Sequence, residues 1–184
     1  GRSPHIEGVL HKLLKQAERP LIIDADGLFY LHEHLEDVAA REHPTILTPH
    51  SGEMARLIGK SVQDVENDRF NIARSFAKTY GVYLILKGPF TIITAPDGRQ
   101  WVNSTGNPAL ANGGTGDVLT GIVLSFAVNH DRLVAALCNA VFLHGYTADM
   151  KVKELKTMSG VMATDIIRAL PKAMGALRPI DNPY

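Results

Sequence analysis

The sequence predicts an α/β fold with a mostly parallel sheet flanked by helices. Three observations carry this expectation. Strand-like and helix-like segments alternate along the chain, the strand segments are near-continuous apolar runs as in strands buried on both faces, and polar residues gather just after them.

His5 to Glu18 has helical spacing, "LIIDADGL" reads as a buried strand ending in acidic residues, Phe29 to Ala40 as a short helix, and "TILTPH" as the next strand. "SGEMARLIG" starts a helix with Ser51 as its N-cap. "SVQD", Ser61 to Asp64, has the capping-box pattern and opens a longer helix through Val65, Ile72, Ala73, Phe76 and Tyr80, which Gly81 stops. Val82 to Lys87 is an apolar strand. "FTIITAPDGRQWVN" reads as two short strands joined by a Pro-Asp-Gly turn, a hairpin at the sheet edge. Helices follow near Asp117–Val128, Leu133–Met150 and Ala163–Leu170, with "KVKELKTMSG" between the last two as a mobile loop.

With 184 residues and 45% hydrophobic content the chain is expected to form one domain with a sizeable core. Nineteen basic residues balance nineteen acidic ones, and no Lys/Arg run stands out, so neither nucleic acid nor an anionic membrane is the expected partner; a small molecule is. Cys138 stands alone in the apolar stretch "LVAALCNAVFL", which excludes disulfides and cysteine-rich metal sites and reads as a buried inert thiol. No uninterrupted apolar run of about 18 residues or more is present, and the charged-then-apolar start of a signal peptide is missing, so the expected location is the cytoplasm.

"NGGTGDVLTGIV", Asn112 to Val123, sets three glycines and a threonine before one aspartate and then opens a helix through Val118, Leu119, Ile122, Val123 and Phe126. Glycines so placed allow unusual dihedrals or close approach of a ligand, and a helix N-terminus offers free N–H groups to an anion. The local alternative is that Asp117 caps the helix after a tight turn. Ligands of such sheets bind outside the carboxyl ends of the strands. Asp24 and Asp26, His50 to Glu53, Lys87 to Thr91, and Asn103 to Asp117 all follow strands and are expected to converge on one crevice.

Taken together, "DADGL", "LTPHSGEMARL", "LKGPFT", "GNPALANGGTGDVLTG", "HGYTAD" and "GVMATDII" resemble, in order and spacing, the ADP/ATP-dependent NAD(P)H-hydrate dehydratases, a family of the ribokinase-like superfamily. The resemblance extends from the first residues to about Leu170. It implies a three-layer α/β sandwich, an adenine nucleotide with Mg2+, and dehydration of the S epimer of NADH or NADPH hydrate through phosphorylation of the ring hydroxyl and loss of phosphate. Asp117 matches the catalytic base, which also contacts the substrate, and Gly114, Thr115 and Gly116 match the phosphate-binding backbone. His50 matches the histidine that contacts the hydrated dinucleotide; a surface or capping histidine is its alternative. Glu53 stands where related kinases hold magnesium through water, or is an acidic residue favoured by the helix dipole. Lys87, Gly88, Pro89, Phe90 and Thr91 match the nucleotide-binding segment, with Pro89 and Phe90 in place of the family's small residues; this form implies ADP over ATP.

Asn107 matches a nucleotide or substrate contact, or forms a turn with Pro108. Asp24 and Asp26 are candidates to tune the metal or substrate side, Asp26 before Gly27 being equally a helix cap. Members of the family carry roughly a further half-domain before the point where this chain begins, and "GRSPHIEG" looks like the tail of a Gly-rich loop from that part. The expectation is therefore a single incomplete ribokinase-like domain over residues 1–184, a fragment or one polypeptide of a split enzyme, that needs the N-terminal segment and associates into homo-oligomers. The rivals are a ribokinase-like vitamin-precursor kinase and a non-catalytic nucleotide-binding subunit. The histidine of "TPHSGE" favours the dehydratase.

Overall fold

The computed structural model describes residues 3–177 and comprises two compact units, one up to Val102 and one from Asn103. In the first, apolar runs form five short strands: β1 (Leu21–Ile23), β2 (Thr45–Leu47), β3 (Tyr83–Leu86), β4 (Ile92–Thr94) and β5 (Gln100–Val102), ordered β1-β2-β3-β4-β5 in one sheet. β1, β2 and β3 pair in parallel, with Ile22 opposite Ile46 and Leu47 opposite Leu84. β4 runs antiparallel to both β3 and β5, so it alone is reversed. The hairpin β4–β5 ends the sheet, as its Pro-Asp-Gly turn predicts.

Leu47, Leu84, Leu86 and Ile92 join one core with Leu28, Leu31, Met54, Val65 and Phe76, while Ile46, Ile85 and Ile93, which alternate with them along the strands, are buried as well. The helices of this unit are α1 (Pro4–Gln16), α2 (Asp26–Leu31), α3 (Leu35–Ala39), α4 (Ser51–Leu57), α5 (Val62–Asn67) and α6 (Arg69–Tyr80). Ser61 and Asp64 form the expected capping box, and Gly81 ends α6 in the left-handed region.

Three readings of this half are corrected. The strand in "LIIDADGL" stops at Ile23, because Leu28 and Leu31, three residues apart, are the inner face of α2. The helix expected from Phe29 to Ala40 is two, broken at His32–His34, where the His32 ring turns back to the Phe29 carbonyl at 2.9 Å in competition with the helical ladder. The helix opening at Ser61 is likewise two, with Asp68 at φ −141° between α5 and α6. The reading of "GRSPHIEG" as a loop tail falls partly on Gly1 and Arg2, outside the described residues; from Pro4 onward the chain is α1.

The second unit holds a short 3-10 helix (Pro108–Ala111), α7 (Thr115–Asn129), α8 (Leu133–Leu155) and α9 (Ala163–Leu177), with α8 packed on both α7 and α9. The first half of "KVKELKTMSG" is not a loop. It extends α8 to Leu155, supported by Lys151–Glu154 at 3.6 Å and Lys172–Glu154 at 3.3 Å, and ends at Lys156 with φ +56°. Helix α9 runs through Pro171 rather than stopping at Leu170. The stripe Ile166, Ala169, Ala173 is buried on both sides of the proline, and the carbonyl it orphans belongs to the half-exposed Ile167. Packing of that stripe outweighs a proline penalty of about 3 kcal/mol.

Among the described residues α8 is the helix long and apolar enough to cross a membrane, a test that core helices also pass; half of its apolar window is buried in the protein. Cys138, on this helix, is half-buried rather than buried, and loss of solvent pushes its thiol above the ordinary range. Iodoacetamide at pH 7.5 should alkylate it about tenfold more slowly than free glutathione, as followed by mass spectrometry.

Candidate active site

The carboxyl ends of the three parallel strands place charged side chains together. Asp24 directly follows β1, His50 and Glu53 follow β2, and Lys87 follows β3. The Lys87 N–H donates to the Pro49 carbonyl at 2.8 Å, and a single parallel bridge between His50 and Lys87 prolongs the sheet beyond its regular strands. Lys87 Nζ lies 3.0 Å from Asp24 Oδ1 and 3.7 Å from Glu53 Oε2, with all three side chains at most 20% exposed. Two carboxylates about one ammonium, mostly out of water, carry a desolvation cost that packing alone does not require. Ala25, between Asp24 and Asp26, adopts φ +49° and is itself the N-cap of α2; Asp26 is the first helical residue and α2 has no side-chain cap, so the capping alternative for Asp26 is not what the structure shows.

His50, not Ser51, is the N-cap of α4. Its Nδ1 accepts from the N–H of Gly52 (3.0 Å) and of Glu53 (3.3 Å), while Glu53 Oε2 accepts from the His50 N–H at 2.8 Å. A ring nitrogen thus replaces the usual hydroxyl in a capping box, and Ser51, displaced into the helix, donates its hydroxyl to the Glu66 carboxylate. A Cβ on Gly52 would lie 2.9 Å from His50 Cε1, so the glycine makes room for the ring. The acceptor role of Nδ1 leaves the ring proton on Nε2, which is 3.5 Å from Glu53 Oε1 on a side chain 59% exposed. The histidine therefore caps a helix and still presents a ring edge outward.

The segment Lys87–Thr91 is held by a residue that sequence reasoning missed. Arg69, first in α6, donates from Nη1 to the Pro89 carbonyl (2.6 Å) and from Nη2 to those of Leu86 (3.1 Å) and Lys87 (3.3 Å). A Cβ on Gly88, at φ +149°, would come within 2.7 Å of Nη2. Thr91 Oγ1 donates to the Gly88 carbonyl at 3.2 Å. In a helix read as continuous from Ser61, Arg69 is an ordinary mid-helix cation; only the break at Asp68 puts it at the first position of α6, where a cation opposes the macrodipole.

In the second unit, Gly114 caps α7 at φ +85°, a conformation that suits glycine. The Thr115 hydroxyl is committed to closing the loop through the carbonyls of Leu110 (2.6 Å) and Asn112 (2.8 Å), and the Thr115 N–H turns to the Asn112 carbonyl at 3.4 Å. Among the described residues the N–H groups of Gly116 and Asp117 have no such acceptor, as in any uncapped first turn. The Asp117 carboxylate is exposed and has no hydrogen-bond or ion-pair partner among the described residues. It lines a groove of about 620 Å³ whose walls are mostly apolar, including Val118, Ile122 and Phe126 of α7 and Ile167 and Met174 of α9.

Asn107 follows its turn-forming alternative. Its Oδ1 accepts from the Ala109 N–H at 3.0 Å, and its Nδ2 donates to Asp149 Oδ1 at 2.8 Å beside a Gly106 N–H bond to Oδ2 at 2.9 Å. Asn112, unremarked in the sequence beyond its place in the loop, ties the Gly-rich loop to the Val161 carbonyl at 2.7 Å.

No group of three or more His, Cys, Asp and Glu side chains among the described residues is arranged to hold a metal ion. Glu53 has its two oxygens turned to His50 and Lys87. A lone carboxylate suits magnesium only where other oxygen donors complete the shell, so Glu53 would contribute to holding the ion and would not hold it alone.

A mixed sheet flanked by helices, with charged strand ends, defines an α/β protein of the ribokinase-like class. A ribokinase-like superfamily protein from Enterococcus faecalis superposes with a TM-score of 0.80 at 28% identity, over 96% of this chain and 60% of that one. An ADP/ATP-dependent NAD(P)H-hydrate dehydratase from Bacillus subtilis, co-crystallised with ATP and Mg2+, superposes with a TM-score of 0.76 at 36% identity, over 86% of this chain and 55% of that one. A profile of the NAD(P)H-hydrate dehydratase family matches residues 1–172, and the chain belongs to that family. The bifunctional NAD(P)H-hydrate repair enzyme Nnr of Thermofilum pendens is 40% identical over 166 residues, 90% of this chain and 32% of that protein. The ADP-dependent (S)-NAD(P)H-hydrate dehydratase of Bacillus subtilis is 38% identical over 156 residues, 85% of this chain. The chain spans 54% of the length of that dehydratase.

Proposed function

We propose that this chain carries the chemistry of an ADP-dependent (S)-NAD(P)H-hydrate dehydratase, with Asp117 as its base. The observation that supports this most is the unpartnered Asp117 carboxylate beside free N–H groups at the glycine-framed start of α7. In this reading Asp117 takes the proton of the hydrate's ring hydroxyl as that oxygen bonds to the terminal phosphorus of the nucleotide and the bond to the leaving phosphate breaks. The N–H groups of Gly116 and Asp117 donate to the transferring phosphoryl oxygens, and Gly114 lets them approach. Thr115 contributes by fixing the loop. The lone pair of the ring nitrogen then expels phosphate, and loss of a neighbouring ring proton restores the dihydronicotinamide.

The outward edge of His50 orients the dinucleotide, and Lys87, steadied by Asp24 and Glu53, faces the nucleotide phosphates. Magnesium, when bound, neutralises phosphate charge during the transfer. Balanced charge supports a small-molecule ligand over nucleic acid or an anionic membrane, and a cytoplasmic, homo-oligomeric state is part of the proposal.

Incubation with NADH hydrate and either ADP or ATP is the test, following absorbance of the restored ring and released phosphate. Equal yields of NADH and phosphate, with a larger kcat/KM for ADP, are expected. A higher value for ATP reassigns the donor, and accumulation of a phosphorylated product without NADH replaces the dehydratase by a small-molecule kinase.

A further inference from the structure

We propose that the base of the adenine nucleotide stacks on Phe90, and that Arg69 is the positioning residue that holds the loop so as to present this ring. The proposal rests on the reading of Lys87–Thr91 as the nucleotide segment. Phe90 is 67% exposed and sits at φ +55°. A bulky side chain in the left-handed region is strained, and such strain persists where the surroundings over-determine it, typically at ligand clamps. Those surroundings are present. Arg69 on the Lys87 and Pro89 carbonyls and the Thr91 hydroxyl on the Gly88 carbonyl give the five-residue loop three hydrogen bonds, and Arg69 on the Leu86 carbonyl anchors its entry.

Folding gains little from the ring. It is out of the core, and among the described residues it makes no ring or cation contact. A strained backbone that displays a large apolar face beside a candidate phosphate-binding lysine suits a ligand with a flat π surface at one end and anionic charge at the other. Lys87 and Phe90 are three residues apart, about 10 Å of extended chain at most, the scale of a nucleotide from phosphate to base. Stacking tolerates any base, so the ring adds affinity for nucleotides over bare phosphates.

Calorimetric titration of the chain with ADP and with inorganic pyrophosphate separates the two ends of the ligand. Phe90→Gly, which accommodates the positive φ, should retain the wild-type melting temperature within a few degrees and weaken ADP about tenfold or more, while pyrophosphate changes less than twofold. Phe90→Tyr should hold ADP within about threefold. Arg69→Lys keeps the charge but cannot reach three carbonyls. It should weaken ADP on its own and add little to the loss in Phe90→Gly, because both act through one contact. Unchanged ADP affinity in Phe90→Gly, or equal losses for ADP and pyrophosphate, overturns the stacking role. Full additivity of the two substitutions overturns the role of Arg69. A wild-type chain that binds neither ligand overturns the nucleotide reading of Lys87–Thr91 itself, and the stacking role with it.

Discussion

Replacing Asp117 by asparagine should lower kcat by about a hundredfold or more while ADP affinity stays within a few-fold. The amide has the size of the carboxylate but cannot accept the hydroxyl proton. Its neighbours lose nothing, since the carboxylate is exposed and unpartnered among the described residues. The one structural contribution removed is the favourable placement of a negative charge in the first turn of α7, about 0.3–1 kcal/mol. A large fall in kcat with a nearly unchanged melting temperature therefore separates a chemical role from a capping one. Steady-state kinetics on NADH hydrate, with thermal unfolding of the same preparation, is the measurement. Near-wild-type turnover would take Asp117 out of the mechanism and leave it as a first-turn carboxylate favoured by the helix dipole, since Gly114 is the cap and no side chain caps α7.

Gly145→Ala should destabilise the protein, although alanine inside a helix ordinarily stabilises by about 1 kcal/mol over glycine. Gly145 lies within α8, and a Cβ there would stand 2.6 Å from both the carbonyl carbon and oxygen of Thr105, with Thr105 Oγ1 closer still. Backbone atoms cannot swing aside as a long side chain can. The segment 103–107 would have to lift from α8, losing the Thr105 hydroxyl bond to the Phe142 carbonyl at 3.0 Å and straining the bonds of Gly106 and Asn107 to Asp149. Overpacking of this kind costs about 1–3 kcal/mol or more, and the broken bonds add to it, so a net loss of about 3 kcal/mol is expected. That corresponds to a fall of roughly 10 °C in melting temperature by differential scanning calorimetry. A higher melting temperature in the variant would show that helix propensity wins and that the seam yields freely.

Signals carried by backbone chemistry were the legible ones. Glycines before Asp117 marked a loop with special dihedrals, and Gly114 has one; the Pro-Asp-Gly turn marked the hairpin, and Gly81 marked the end of α6. The gathering of Asp24, Glu53 and Lys87 at the strand ends was legible from the alternation of strands and helices, whereas the individual pairings were not. Asp24 and Lys87 are 63 residues apart, and neither side chain announces the other. Arg69 reads as an ordinary surface cation until the loop it holds is folded beside it. Local rules also failed where a competing group did the same task. Ser51 satisfies the usual preference for a helix cap, yet the ring nitrogen of His50 takes the position one residue earlier. Pro171 satisfies the usual rule for a helix stop, yet the buried stripe of α9 continues past it.

The order β1-β2-β3-β4-β5 also bears on how the sheet is reached during folding. Among the described residues β2 to β5 each lie against the preceding strand, so none of these pairings waits for a later segment to insert between two earlier ones. The paired residues Ile93 and Trp101 are 8 apart (101 minus 93), and Ile46 and Tyr83 are 37 apart (83 minus 46). Because closure entropy grows only with the logarithm of loop length, the longer connection costs about 1.4 kcal/mol more than the hairpin. β2, β3, β4 and β5 can therefore be added one at a time in chain order, each meeting an edge that the preceding strand has already formed.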